Sequence, residues 1–500
     1  MDDEKSQSHL DPTSEISLET VKKRTVKGVV ALTGRYFFLY AITIFSQGLL
    51  GALLTTSQFG VFGIVSAIVN FLVYFSDIGL AAALIQKKEG IDKEDLKTTF
   101  TVQQILVLTL LILILVATPY IRRFYNLDQS AVYLLYALGA SFFMSSLKTI
   151  PSVLLERGLR FEKLAISNIL ESIAYNVCLV YFAWKGFGIT SFTIAVLVRG
   201  VVGLVTLYIF QPWIPSFAIS RKSLSKLLRF GVPYQINTFI AVLKDDGLTL
   251  VLGKLMGTSA LGILVWAQKW IQIPLRVVLD NVTRVTFPAF SRMQDNKEEL
   301  ERSVTRSIFF TTVLVFPATI AIVVLFPVVT NIIPKYHQWL PAILPLTLLS
   351  INVLFAAVTT QLTNLLNAIG KIKITSILMV MWTVLTWIFV PYLATRFGAG
   401  GAAAGYALVG MSSVIAIFIV KKHVNFSLID GALKPLLASI VMGITLLTLR
   451  VLLPQSLTSL GVLIIIGIVT YSLSILALVG ASLIEDVKKS FSVLLKKRPE

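Results

Sequence analysis

The chain has 500 residues, of which 56% are hydrophobic and 14% charged, with a mean hydropathy of +0.82. Soluble domains hold about 45–50% apolar and about 25% charged residues, so a water-soluble fold is excluded and an integral membrane protein is required. The net charge of +18 is dealt out in small basic groups between apolar runs, which fits orientation in a bilayer and not nucleic-acid binding.

Residues 1–28 are polar and open Met1-Asp2-Asp3-Glu4. They lack the basic start, apolar core and cleavage site of a secretory signal and read as a disordered cytoplasmic tail. Apolar runs follow at 29–54, 60–83, 98–119, 131–152, 164–184, 188–210, 230–253, 261–286, 306–329, 341–366, 374–395, 400–420, 433–453 and 461–483. Each is long enough to cross the hydrocarbon core as a helix, which predicts an all-α polytopic protein of about fourteen transmembrane helices. With the N-terminus inside, about 30 Lys and Arg fall on inner segments and six on outer loops, so both termini are expected in the cytoplasm. Arg122-Arg123, on an expected outer loop, is the exception. The longest connection, 211–229, contains Arg221–Arg229 (RKSLSKLLR), which reads as a basic amphipathic helix on the inner leaflet, as does Val487–Lys497. The loops leave no room for an extramembrane catalytic or nucleotide-binding domain, and no Gly-x-x-x-x-Gly-Lys-[Ser/Thr] loop occurs. Cys178 stands alone and the three histidines are scattered, so no disulfide, metal site or cofactor is expected.

Two strings recur about 200 residues apart. Thr56-Ser57-Gln58-Phe59-Gly60-Val61-Phe62 is matched by Thr258-Ser259-Ala260-Leu261-Gly262-Ile263-Leu264. Asp92-Lys93-Glu94-Asp95-Leu96 is matched by Asn296-Lys297-Glu298-Glu299-Leu300. Two matches in the same order predict a duplication of six spans, giving two pseudo-symmetric lobes with a substrate cleft between them. The expected organisation is a tail at 1–28, a first lobe at 29–210, the linker at 211–229 and a second lobe at 230–420. Two extra spans at 433–483 and a basic tail at 484–500 complete it. The small-residue run Gly398–Gly405 lacks dinucleotide-loop spacing and reads as close helix packing.

Ionisable side chains are costly inside a bilayer, so each needs a reason. In the eighth run Lys269, Gln272, Arg276, Asp280 and Thr283 recur every three or four residues and share one helix face, with Pro274 expected to bend the span. Ser66, Asn70, Tyr74 and Asp77 do the same in the second run. Gln235, Thr238, Asp245, Asp246 and Thr249 do so in the seventh, and Asn352, Thr359, Thr363 and Asn367 line the tenth. Arg199 lies about 17 Å into its helix, too deep to snorkel easily. Arg35 with Asp77, and Lys148 with Glu171, read equally as packing ion pairs or as cavity residues; Arg284 and Arg450 are expected to reach an interface. Eight bases against five acids within the spans favour an anionic substrate. The candidate cavity residues are Arg35, Asp77, Lys148, Arg199, Lys269, Gln272, Arg276 and Asp280.

Four strings in order carry a family likeness. Asp77-Ile78-Gly79-Leu80, Glu156-Arg157-Gly158-Leu159-Arg160-Phe161, Gly186-Phe187-Gly188 and Phe287-Pro288-Ala289-Phe290-Ser291-Arg292 resemble those of the Wzx-type polysaccharide flippases, over roughly residues 29–430. That family shares a superfamily with multidrug exporters and the lipid II flippase. The resemblance implies export of an undecaprenyl-diphosphate-linked oligosaccharide across the bacterial cytoplasmic membrane by alternating access, among membrane lipids and other polysaccharide-assembly proteins. Lys244-Asp245-Asp246-Gly247 fits the family's acidic motif only loosely and makes Asp245 and Asp246 the candidates for a coupling cation, H+ or Na+. Two alternatives stand beside this reading. A cation-coupled multidrug exporter of the same fold would want a cavity rich in acids and aromatics. A membrane glycosyltransferase or polymerase would want a long outer loop.

Overall fold

The computed structural model describes residues 38–87 and 90–480, and every regular element among them is helical. The two predicted tails, the Val487–Lys497 segment and Arg35 lie outside the described residues. The chain divides into two compact units, Met1–Gly262 and Ile263–Glu500.

In the first unit, α1 (Phe38–Leu53) leads to α2 (Thr56–Val73). Thr55 and Gln58 close a capping box at the start of α2, satisfying amides the helix itself leaves unbonded. A 3-10 turn, Tyr74–Ser76, ends α2, and left-handed Ile78 (φ 47°) and Gly79 (φ 74°) turn the chain into α3 (Leu80–Gln86). The long α4 (Lys93–Tyr125) starts with a second capping box, Asp92 with Asp95. Its 33 residues span about 50 Å at 1.5 Å each, more than the hydrocarbon core requires. α5 (Gln129–Leu147), α6 (Thr149–Arg157), α7 (Phe161–Trp184) and α8 (Thr190–Phe210) follow. An extended strap, 211–220, then leads into α9 (Arg221–Val242), a π turn (Leu243–Gly247) and α10 (Leu248–Arg292).

The basic stretch 221–229 is the first two turns of α9 and not a separate surface helix. Leu224, Leu227 and Leu228 join a core with Leu80, Leu84, Leu96, Ile150 and Leu154. The expected amphipathic pattern is present, but its leucines face protein, because α3 and α6 supply the apolar wall they need. Close approach between α9 and the turn after α2 has a steric basis. A Cβ added at Gly79 or Gly231 would run into the other segment's backbone.

The second unit takes the rest of α10, then α11 (Lys297–Ile332), a 3-10 segment (Pro334–Ala342) and α12 (Ile343–Ala368). α13 (Ile372–Lys421), a π turn (Ile429–Leu433), α14 (Lys434–Leu452) and α15 (Leu457–Val479) complete it. Its aromatic core centres on Trp266, stacked on Trp339 at 4.3 Å, with Phe326 5.1 Å away. Both indoles are almost fully buried.

Among the described residues, eleven helices are long and apolar enough to cross a membrane. Two of them, Leu243–Arg292 and Ile372–Lys421, are 50 residues long and contain a non-helical glycine, Gly257 (φ 76°) and Gly398 (φ 56°). The sequence runs 230–253 and 261–286 fall on either side of the first break, and 374–395 and 400–420 on either side of the second. Past Gly398, small Gly405 lets the second half meet the backbone of Val390 in the first, the close packing its sequence implied. Pro274 lies inside α10 with helical backbone angles, and the non-helical residue of α10 is Gly257.

The internal repeat is visible in contacts. Asn296 caps α11 by accepting the Glu299 amide at 3.3 Å, as Asp92 caps α4. Ser220 N–H donates to Thr98 Oγ1 at 3.0 Å, and Ser427 N–H donates to Thr305 Oγ1 at 3.2 Å, both partners lying 207 residues further on. In each case the segment after six predicted spans is strapped to the start of the unit's long helix. The first strings of the repeat also touch each other within the first unit. Thr56 pairs with Ser259 and Ser57 with Thr258, hydroxyl to hydroxyl, each at 2.9 Å. Side chains at Gly60 or Gly262 would collide with the opposite backbone.

Candidate functional site

Three charged residues predicted on separate spans form one cluster. Lys148 follows α5, Glu171 sits on α7 and Arg199 on α8. Lys148 Nζ donates to Glu171 Oε1 at 2.6 Å, and Arg199 Nε lies 3.8 Å from Glu171 Oε2. Gly203, one turn beyond Arg199, supplies the room, since a Cβ there would meet both Glu171 and the Lys148 ammonium. The carboxylate side chain is 9% exposed and Lys148 13%, but Arg199 is 57% exposed. Its guanidinium sits 5.9 Å from the Tyr175 ring centroid. One buried carboxylate thus neutralises one buried cation and tethers a second whose outer edge stays accessible. The cluster's net charge is +1, and a guanidinium held in this way can take a phosphate oxygen on its outer edge.

In the second unit the stripe of α10 divides in two. Arg276 is exposed and donates from Nη2 to Gln272 Oε1 at 3.0 Å, one turn away. Asp280 is exposed and Lys269 half-buried beside the tryptophan core. Thr283, by contrast, accepts from Asn364 Nδ2 of α12 at 3.0 Å, so this end of the stripe is turned to protein. The same seam continues through Gln361, fully buried, which accepts from Ser307 Oγ at 2.7 Å and donates to Thr311 Oγ1 at 3.2 Å.

The polar face of α2 meets α9 and the π turn. Asn70 donates to the half-buried Asp246 carboxylate, while Asp245 is exposed with Lys244 at 3.8 Å. Tyr74 hydroxyl donates to the Gln235 carbonyl, and Gln235 Nε2 donates back to the Tyr74 carbonyl. Asp77 accepts the Ala81 amide on both carboxylate oxygens at 3.2 Å, which caps α3. Its partner expected from sequence, Arg35, lies outside the described residues.

Sequence reasoning did not single out Arg157. Its side chain is buried and Nη1 donates to the carbonyls of Leu84, Ile85 and Lys87 at 2.9, 3.3 and 2.7 Å, closing the C-terminal end of α3. The string Glu156–Phe161, quoted above as a family mark, was the available signal. Beside it Lys87 and Asp95 pair at 2.6 Å, with Asp95 also accepting from Ser223 of α9. The awkward Arg122 donates to the Leu127 carbonyl at 3.3 Å and to Gln129 at 3.1 Å, in the last turn of α4, where a helix favours cations. Arg450 reaches the Val324 carbonyl at 3.0 Å, which places its guanidinium on protein.

A polytopic bundle of this design has counterparts among solved transporters. The fold matches that of the lipid II flippase MurJ in an inward-closed conformation (TM-score 0.73, 17% identity, 92% of this chain and 99% of that one). It also matches an inward-facing multidrug resistance transporter of the MATE family and MOP superfamily (TM-score 0.58, 19% identity, 79% and 99%). Residues 49–344 match the family described as polysaccharide biosynthesis protein, and the chain belongs to that family. Among curated relatives, it is 25% identical over 305 residues to the succinoglycan biosynthesis transport protein ExoT of Rhizobium meliloti, covering 61% of this chain and 60% of that protein. The lipopolysaccharide biosynthesis protein WzxC of Escherichia coli is 24% identical over 413 residues, 81% of this chain and 82% of that one. The likeness to Wzx-type flippases read from the four motifs is borne out, and the chain is a multi-pass membrane transporter and not an enzyme.

Proposed function

We propose that this protein translocates an undecaprenyl-diphosphate-linked oligosaccharide across the bacterial cytoplasmic membrane by alternating access, with both termini in the cytoplasm. The family membership over residues 49–344 carries the reading. The residue-level support is Arg199, a cation anchored from behind by Glu171 yet more than half exposed. We assign Arg199 to diphosphate oxygens and, separately, Lys269 and Arg276 to anionic groups of the substrate, with Gln272 orienting Arg276 through its amide. Asp245 and Asp246 are assigned to a coupling cation, H+ or Na+, and an ion gradient or the membrane potential supplies the drive. The π turn that carries them is a helix irregularity of the kind often found at functional positions.

The test is a flipping assay in vesicles holding the purified chain and a lipid-linked oligosaccharide. Arg199→Gln and Arg276→Gln should each slow translocation about tenfold or more, the effect of losing one charged hydrogen bond. Unchanged rates in both variants would overturn the assignment. Deletion of the gene should cause one lipid-linked sugar to accumulate, which identifies the glycan.

A further inference from the structure

The two straps are equivalent in position and hydrogen bonding but differ in where they place their apolar side chains. In the second unit, Asn425 N–H donates to Glu301 Oε1 at 3.2 Å and Ser427 N–H to Thr305 Oγ1. Its apolar residues turn inward: Val424 is 7% exposed and Phe426 3%. In the first unit, Ala218 and Ser220 N–H groups donate to Thr101 and Thr98 at 3.0 Å, and Phe100 of α4 holds Trp213 at 4.9 Å between ring centroids. The positions equivalent to Val424 and Phe426 are Phe217 and Ile219, and these are 71% and 57% exposed; Ile214 reaches 86%. The fold therefore does not require outward apolar side chains here, since the same strap buries them elsewhere in the same chain.

Exposed bases flank both straps, Lys421 and Lys422 standing just before the second, but acids accompany only the second. Residues 211–229 contain no Asp or Glu, and Arg221, Lys222 and Arg229 are exposed immediately after the apolar side chains. The second strap is bonded to Glu301 and followed by Asp430, which pairs with Lys434 at 2.6 Å. The first strap joins the end of α8 to the start of α9, so it lies at the membrane boundary whichever way the protein is inserted. Apolar side chains next to exposed bases at that depth match one surface, the junction of acyl chains and negatively charged head groups. A soluble protein partner would be matched by the apolar residues alone and would not call for the uniformly positive flank.

We infer that residues 211–222 form a docking strap for anionic phospholipid head groups, with Ile214, Phe217 and Ile219 in the acyl boundary and Arg221 and Lys222 on the phosphates. The hydrogen bonds to Thr98 and Thr101 hold the strap extended so that these groups stand outward together. This reading is independent of the transported substrate.

The experiment uses the full chain carrying Cys178→Ser and Ile214→Cys, labelled with an environment-sensitive fluorophore and reconstituted in vesicles of phosphatidylcholine with or without phosphatidylglycerol. Ile214 is exposed, so its replacement leaves folding intact. Bromine-labelled acyl chains should quench the label in the phosphatidylglycerol vesicles. Phospholipid retained by detergent-purified protein should be enriched in phosphatidylglycerol, and Arg221→Gln with Lys222→Gln should lower that enrichment about fivefold per base. A label that stays in water in lipid vesicles would overturn the inference and point to a protein partner. Equal retention of phosphatidylcholine and phosphatidylglycerol, or retention unchanged in the double variant, would overturn it as well.

Discussion

The two units handle intramembrane charge differently. In the first, Lys148 and Arg199 converge on one buried carboxylate, so neither Lys148 nor Glu171 can be altered singly without leaving a buried ion unpaired, whereas Arg199 stands more than half exposed. In the second, Arg276 leans on its own helix through Gln272 and stays exposed, and no buried acid among the described residues is bonded to it. The lesson is that a cation in a span can be either part of the packing or a guest on it. Burial of the cation together with its partner decides which: Lys148 is buried against Glu171, while Arg199 shares that carboxylate and stays exposed.

Substitutions that break this contrast should differ in size. Glu171→Ala leaves Lys148 without its acid and should cost about 3–5 kcal/mol of stability, read as a large fall in thermal midpoint of the purified protein. A loss below about 1 kcal/mol would mean that the buried pair is not the anchor. Lys148→Met with Glu171→Leu sharpens the point, because removing both charges should restore most of that stability. Gly203→Ala pushes a methyl into the pair and should cost about 1–3 kcal/mol by overpacking, with thermal unfolding again as the measure. Arg199→Gln should change stability by under about 1 kcal/mol, since the ion pair is long and half in the open, while translocation falls. Arg276→Gln should be the mildest for folding, within about 0.5 kcal/mol, so that any transport defect there reports on substrate directly.

Much of the fold was legible because a bilayer leaves the backbone few choices. Apolar runs marked an all-helical membrane fold, of which eleven helices among the described residues are long and apolar enough to span, and the glycines at 257 and 398 mark where long helices part. Periodicity also identified the right faces: Asn70 of α2 meets Asp246 of the π turn, and Tyr74, in the turn that ends α2, meets Gln235 of α9. A helical period names a face, however, and not its neighbour. That is why Glu171 could be paired with Lys148 on paper while its second contact, Arg199, was treated alone. The leucines at 224, 227 and 228 failed for the same reason, since the wall that receives them comes from Leu80, Leu84 and Ile150, distant in sequence. Arg157 was hidden more deeply, because its bonds go to carbonyls, which have no sequence signature.

The seam at Gly60 and Gly262 has a consequence of its own. Bare backbone against bare backbone offers no flexible side chain to take up slack, so this join tolerates only one register. The two hydroxyl couples flanking it, however, can each be exchanged for water at a net cost of about 1 kcal/mol. The join is therefore exacting about the register in which it closes, and the hydroxyl couples beside it specify that register more than they strengthen it.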